Sequence, residues 1–208
     1  MRLLDISISL LGLIVLSPLL LVVAVVVKCS SQGPVLYRAR RAGRNGRPFT
    51  LYKFRSMVVD AADRGPRVTG SNDPRITGVG RILRRTKLDE LPQLFNTLIG
   101  DMSLVGPRPE DPGYVKSYSA DQLQVLRVKP GITSPATVLH RHEEELLNGP
   151  DWEETYRRVI LPAKLEIELE YLSRRTLSKD VVILARTASA LFMKRSRLGA
   201  NRGSQCRS

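Results

Sequence analysis

The chain is poor in the residues that mark a disulfide framework, a zinc site or a base-stacking surface. Its 208 residues hold two cysteines, Cys29 and Cys206, near opposite ends and in no CxxC-type spacing. They point to neither a disulfide framework nor zinc, so a reducing cytosolic environment is the default. Aromatic residues make up 5%, too few for a protein that reads single strands by base stacking, and nucleic acid is not the expected partner. The two histidines, His140 and His142, stand at i, i+2 and would not share a helix face, so they read as surface residues and not as a metal pair. Acids are outnumbered: 33 Lys and Arg against 20 Asp and Glu give a net charge of +13. Such an excess favours nucleotides, phosphorylated substrates or anionic membrane lipids without choosing among them. The length suits one domain with a real core and is marginal for two.

Charge is missing altogether between Ile6 and Val27. As a straight helix this run would be roughly 33 Å long, enough for a hydrocarbon core of roughly 30 Å. The following Lys28-Cys29-Ser30-Ser31 lacks an A-x-A-like site, which argues against a cleavable signal peptide. Ser17-Pro18 sits mid-run, where proline removes a backbone hydrogen bond and a neighbouring hydroxyl can satisfy the freed group. Two readings stand side by side on these residues: a kinked single span, and two half-helices that enter and leave on one face. Arg2 before the run and the cations after it weakly favour the second.

Acids are also absent from residues 28–57, which carry Lys28, Arg38, Arg40, Arg41, Arg44, Arg47, Lys53 and Arg55. Beside a membrane segment this belt reads as contact with anionic headgroups. Within it, residues 49–55 alternate as a short strand with Leu51 and Lys53 on one face and Tyr52 and Phe54 on the other. Residues 60–76 are rich in Gly, Pro and Asp and predict a loop. A basic helix follows over 75–85, and further helical periodicity covers 151–173, apart from Pro162, and 176–192.

Against this background two adjacent acids stand out, Asp89 and Glu90, just before Pro92. Proline suits the first turn of a helix, so a helix starting near them is expected, with both carboxylates at its positive end and ionised. A carboxylate kept ionised beside cations can attack an electrophilic phosphorus or hold Mg²⁺ with phosphate. Arg55, Arg84 or Arg108 could clamp phosphate oxygens, and Gly106-Pro107-Arg108-Pro109 is rigid enough to fix Arg108. The plainer readings are an acidic helix cap and a stiff surface turn.

In order along the chain, the Ser17-Pro18 segment, SQGPVLY (31–37), KFRSM (53–57), LDELPQLFN (88–96), GDMSLVGPRP (100–109) and VKPGIT (128–133) resemble the bacterial sugar transferase family, the monotopic polyprenyl-phosphate phosphoglycosyl transferases. The resemblance implies transfer of a sugar-1-phosphate from a UDP-sugar to polyprenyl (undecaprenyl) phosphate, with release of UMP, at the cytoplasmic face of the bacterial inner membrane. It implies Asp89 as nucleophile and Mg²⁺ ligand, Glu90 as its catalytic assistant, and Lys53, Arg55, Arg84, Pro107, Arg108 and Pro109 as substrate-binding residues. It also tips the N-terminal segment towards the re-entrant reading, with Ser17 and Pro18 at the bend. The expected fold is mixed α/β and mostly helical: a proline-broken re-entrant membrane hairpin over 1–28, a cytosolic catalytic domain with interfacial amphipathic helices over 29–193, and a basic tail over 194–208. The pattern departs from the family after Thr133, where Ser134-Pro135-Ala136-Thr137-Val138 and LHRHEEE (139–145) follow, so the sugar stays open. Asp180, in a second stretch similar to the family, reads as structural. A homo-oligomer is compatible with the sequence but not fixed by it. The competing class is a membrane-tethered basic scaffold without chemistry, which gives no reason for Asp89-Glu90 or for the 106–109 turn.

Overall fold

Alternation of buried and exposed side chains, proline placement and glycine turns divide the chain into short elements. The computed structural model describes residues 2–70, 73–141, 143–147 and 151–192. Helix α1 is Arg2–Ser30, followed by strands β1 (Leu36–Ala42) and β2 (Pro48–Phe54), then α2 (Gly78–Thr86), α3 (Gln93–Ile99) and β3 (Ser103–Val105). Next come α4 (Pro112–Val115), β4 (Gly131–Thr133), α5 (Pro135–Leu139), α6 (Glu143–Leu146), α7 (Trp152–Thr155), α8 (Leu161–Ser173) and α9 (Leu177–Phe192). The fold is mixed α/β and mostly helical, as expected. The tail over 194–208 and His142 lie outside the described residues.

Helix α1 differs from the hairpin expected at Ser17-Pro18: it continues as one helix through Pro18. The reason is local. Pro18 cannot donate to the carbonyl of Ile14, and the Ser17 hydroxyl does so instead at 2.7 Å, replacing the lost bond. The helix is long and apolar enough to cross a membrane, and only 11% of its most apolar window is buried. Both of its ends nevertheless pack on the same body. At the start, Arg2 donates to the carbonyls of Thr97 and Leu98 at the end of α3, and buried Asp5 accepts from Ser103 Oγ and Leu104 N, each at 3.0 Å. Near the other end, Val23 and Val27 are buried against Phe54 and Leu83.

Strands β1 and β2 form an antiparallel hairpin pairing Leu36 with Phe54 and Ala42 with Pro48. The strand expected over 49–55 is thus present, and both of its faces are covered: Phe54 packs on Val23 and Val27 of α1. On the other face Leu51 is buried with Ala39 and Met102, and Lys53, partly buried, reaches Glu90. Asn96 of α3, fully buried, ties this hairpin down: it accepts from Tyr52 N at 3.0 Å and donates to Thr50 O at 2.7 Å. These bonds occupy the otherwise open edge of β2.

Strands β3 and β4 run parallel, with Ser103 opposite Gly131 and Val105 opposite Thr133. The 106–109 turn leaves β3 and lies flat on β4, where Gly131 N donates to Pro107 O at 2.9 Å. A Cβ on Gly131 would sit 2.1 Å from Gly106 N, so only glycine lets the two backbones meet. Helix α7 continues without a break through a π turn at Tyr156–Ile160 into α8, so Pro162 lies inside a continuous helix and the π turn just before it accommodates the missing N–H. Asp180 on α9 is buried and accepts from Tyr171 Oη and from Arg175. It is structural, as read from the sequence. Exposed apolar residues lie on α2 (Ile82), α3 (Phe95, Ile99) and α9 (Leu177, Val181, Val182) as well as along α1.

Candidate active site

The acid pair lies in the tight connection between α2 and α3. Thr77 caps α2 by accepting from Gly80 N at 2.9 Å. The helix ends at Lys87, whose left-handed backbone (φ 58°, ψ 15°) reverses the chain. Leu88–Glu90 form one 3₁₀ turn, and α3 starts only after Pro92. Leu91 and Pro92 are right-handed helical between that turn and α3, so the helical start expected near the acids from Pro92 is present. The expectation that both acids are kept ionised does not follow, because burial pushes Asp89 up.

Their environments diverge. Glu90 accepts from Lys53 Nζ at 3.0 Å and, in a two-pronged arrangement, from Arg108 Nη1 at 3.2 Å and Nη2 at 2.6 Å. Burial alone would raise its pKa, but the charges of Arg108 and Lys53 and the Arg108 hydrogen bonds outweigh it and hold Glu90 well below the ordinary carboxylate range. Arg108 is raised in turn, first by the charge of Glu90. Asp89 is buried and its Oδ1 has no hydrogen-bond partner. Burial pushes its pKa up; Lys53, Arg84 and Lys87 oppose this and Glu90 adds to it. Burial also lowers Lys53. One acid is thus locked into an ion-pair network while its neighbour is desolvated with an unoccupied oxygen.

Among the described residues, no group of three or more His, Cys, Asp or Glu is gathered for a metal. Mg²⁺ is commonly held by one or two carboxylates together with substrate phosphates and water, and the orphaned Asp89 Oδ1 fits that donor set. Glu90, held by two cations, does not.

The residues expected to bind substrate separate into two groups. Lys53 and Arg108 meet at Glu90, with Pro107 and Pro109 holding the turn. Arg84, in the last turn of α2, lies close enough to act on Asp89 through its charge. Arg55 is elsewhere. Its buried guanidinium donates to the carbonyls of Val27, Ser31 and Pro34 and to Ser31 Oγ. It fastens the end of α1 to β2 and is not part of the cluster around Asp89. His140 is half-buried beside α5, and burial lowers its pKa.

A second group of charges escaped the sequence reading. Lys164 of α8, buried, donates to Glu143 Oε2 at 2.9 Å and lies 3.7 Å from Glu110 Oε1, which also accepts from Tyr156 Oη at 2.6 Å. One turn along α8, buried Glu168 accepts from Ser134 Oγ, and burial pushes its pKa up to about 7. The only sequence hint was Glu110 directly after Pro109.

Comparison with known proteins gives one consistent result. The sequence profile described as bacterial sugar transferase matches residues 1–194. The exopolysaccharide production protein PSS of Rhizobium leguminosarum bv. phaseoli is 55% identical over 190 residues, covering 88% of this chain and 90% of that protein. A UDP-glucose:undecaprenyl-phosphate glucose-1-phosphate transferase of Klebsiella pneumoniae is 42% identical over 199 residues, 94% of this chain and 40% of its own length. A UDP-N-acetylgalactosamine-undecaprenyl-phosphate N-acetylgalactosaminephosphotransferase of Aeromonas hydrophila is 36% identical over 191 residues, 90% and 42% respectively. This chain therefore spans about two fifths of the length of the last two relatives.

Proposed function

The chain belongs to the bacterial sugar transferase family, and from that membership and the geometry around Asp89 we propose that it moves a sugar-1-phosphate from a UDP-sugar to polyprenyl phosphate, releasing UMP. The relatives' names supply the donor class and the undecaprenyl acceptor. The observation that carries the chemistry is the asymmetry of the acid pair: Asp89 Oδ1 is buried without a partner while Glu90 is held by Lys53 and Arg108.

Asp89 would attack the β-phosphorus of the donor. An oxygen–phosphorus bond forms to Asp89, the bond from that phosphorus to the bridging oxygen breaks, and UMP leaves with the electron pair. A phosphate oxygen of the lipid acceptor then attacks the same phosphorus and the Asp89–phosphorus bond breaks, restoring the carboxylate. Glu90 orients Arg108 and Lys53, whose remaining N–H groups face the charge gathering on the phosphoryl oxygens. Arg84 adds positive charge from the end of α2. Asp89 Oδ1 together with the donor phosphates would hold Mg²⁺, which supplies charge neutralisation at the phosphates. The test is incubation of the detergent- or nanodisc-bound protein with sugar-labelled UDP-sugars and Mg²⁺, first without and then with polyprenyl phosphate. Stoichiometric UMP with label retained on protein is expected before acceptor is added; no UMP under either condition sinks the proposal.

We place the protein at the cytoplasmic face of the inner membrane, with α1 dipping into the lipid without crossing it. Arg2 and Asp5 at one end and Val27 at the other are bound to one body, whereas a span would separate these ends by roughly 30 Å of hydrocarbon. The exposed apolar side chains of α1, α2, α3 and α9 would form the lipid-facing surface, and the basic segment after α1 would meet anionic headgroups. A membrane-impermeant maleimide should label Leu3→Cys and the exposed Cys29 from the same side of inverted vesicles, each tested as the sole cysteine. Labelling from opposite sides would establish a span.

A further inference from the structure

Beside Arg108, the turn at 107–110 and helix α8 line a partly open cavity of about 30 Å³. Its walls combine Arg108, Pro109, Lys164 and Glu168 with apolar side chains that include Leu126 and Leu165. At roughly 10–15 Å³ for each water-sized group, it admits about two non-hydrogen atoms and not a sugar ring or a base.

Its polar inventory is lopsided. Lys164 is committed to Glu143 and Glu110, and Arg108 to Glu90. Glu168 is 3% exposed; one carboxyl oxygen is engaged by Ser134, and the other, Oε2, is buried without a partner. An unpaired buried carboxyl oxygen calls for a hydrogen-bond partner, and with Glu168 pushed up to about 7 by burial that partner must suit both the ionised and the protonated group. A phosphate has no donor to offer at its ionised oxygens and would meet Glu110 and Glu168 instead. A uracil edge has one donor, N3–H, but it lies between two carbonyl acceptors on a ring too large for the cavity. A hydroxyl on a short apolar arm satisfies both the walls and the free oxygen.

We propose that this cavity reads the donor sugar: the hydroxymethyl arm of a hexose enters it and its hydroxyl hydrogen-bonds to Glu168 Oε2. The inference rests on the UDP-sugar reading above. In that reading the phosphorus attacked by Asp89 carries the sugar directly, and Arg108 is shared between the phosphate cluster and the cavity wall. The sugar, bonded to that phosphorus, is thus closer to the cavity than the nucleoside, which lies one phosphate further away. Glu168 is a specificity residue here and takes no part in bond making.

The test compares UDP-glucose with UDP-xylose, which lacks only the hydroxymethyl arm. Measured quantities are kcat/KM for UMP release and, by calorimetry without acceptor, the Kd of both donors and of UMP. Wild type should favour UDP-glucose by about 100-fold, in the range that loss of a hydrogen-bonded or space-filling group commands. Glu168→Met, nearly the same size, and Glu168→Leu both remove the hydrogen-bonding carboxyl and should each cut that preference at least tenfold while the UMP Kd stays within twofold. Melting temperatures check that each variant folds, and Glu168→Met carries the test if Glu168→Leu does not. An unchanged preference in a folded variant overturns the proposal, as does a wild type that does not prefer UDP-glucose. Parallel weakening of UMP would assign the cavity to the nucleoside and overturn it too. A wild type that neither binds nor cleaves any UDP-sugar removes the transferase reading itself, whereas cleavage without arm preference removes only this cavity.

Discussion

Asp89→Asn is expected to abolish label transfer to the protein and to lower UMP release by at least about 10³-fold, with the fold intact. The substitution keeps the volume of a side chain that is 5% exposed. It removes the only acid of the pair with an oxygen free of partners, since both Glu90 oxygens accept from cations. Stability should be unchanged or higher, because burial already disfavours the ionised form of Asp89 and a neutral amide does not face that cost. A loss of activity with a raised or steady melting temperature would separate chemistry from folding. If instead UMP release with acceptor present survives in Asp89→Asn, lipid phosphate attacks the donor directly and Asp89 is not the nucleophile. Glu90 cannot stand in as a spare nucleophile in Asp89→Asn, because both its oxygens accept from Arg108 and one of them also from Lys53.

Much of this arrangement was legible in the chain, and what was not has identifiable causes. The strand at β2, the basic α2 and the helices α8 and α9 followed from spacing, because amphipathic periodicity survives without knowledge of the partner. The meeting of Lys53, Glu90 and Arg108 required the family resemblance, since sequence separations of 37 and 18 residues leave no local pattern. Arg55 was grouped with the phosphate clamps because a guanidinium suits phosphate and the chain order gives no sign of what it packs against. Its guanidinium in fact reaches residues more than twenty positions earlier, where helix-end carbonyls lack partners. The divergence of Asp89 and Glu90 could not be read at all: the two are adjacent and chemically alike, and only tertiary burial and the approach of Arg108 set them apart. Asp5 was passed over as the last charge before an apolar run, although it is the residue that fastens α1 to β3. Charges on α8 read as a solvated face by default. Lys164 and Glu168 are buried because residues 107–110 and 134 fold over them.

The largest effect after Asp89 is expected at Arg108, and its interpretation turns on Glu90. Arg108→Ala removes a guanidinium poised beside the proposed phosphate site and should lower kcat/KM by about 10²–10³-fold, the scale seen when a preorganised charge donor is lost. Arg108→Lys should recover little of this, since an ammonium cannot reproduce two parallel N–H bonds to Glu90. Glu90→Gln should cost nearly as much, because Arg108 and Lys53 lose the carboxylate that fixes both. If Glu90 acts by positioning Arg108, the double variant Arg108→Ala/Glu90→Gln will be much less impaired than the product of the two losses, falling within about tenfold of the worse single variant. Multiplicative losses would mean that Glu90 touches the reaction independently of Arg108, as a base toward the lipid acceptor. The ion-pair geometry favours the first outcome: each Glu90 oxygen already accepts from Arg108, one of them also from Lys53, and against burial these cations hold its pKa well below the ordinary carboxylate range, which weakens it as a base.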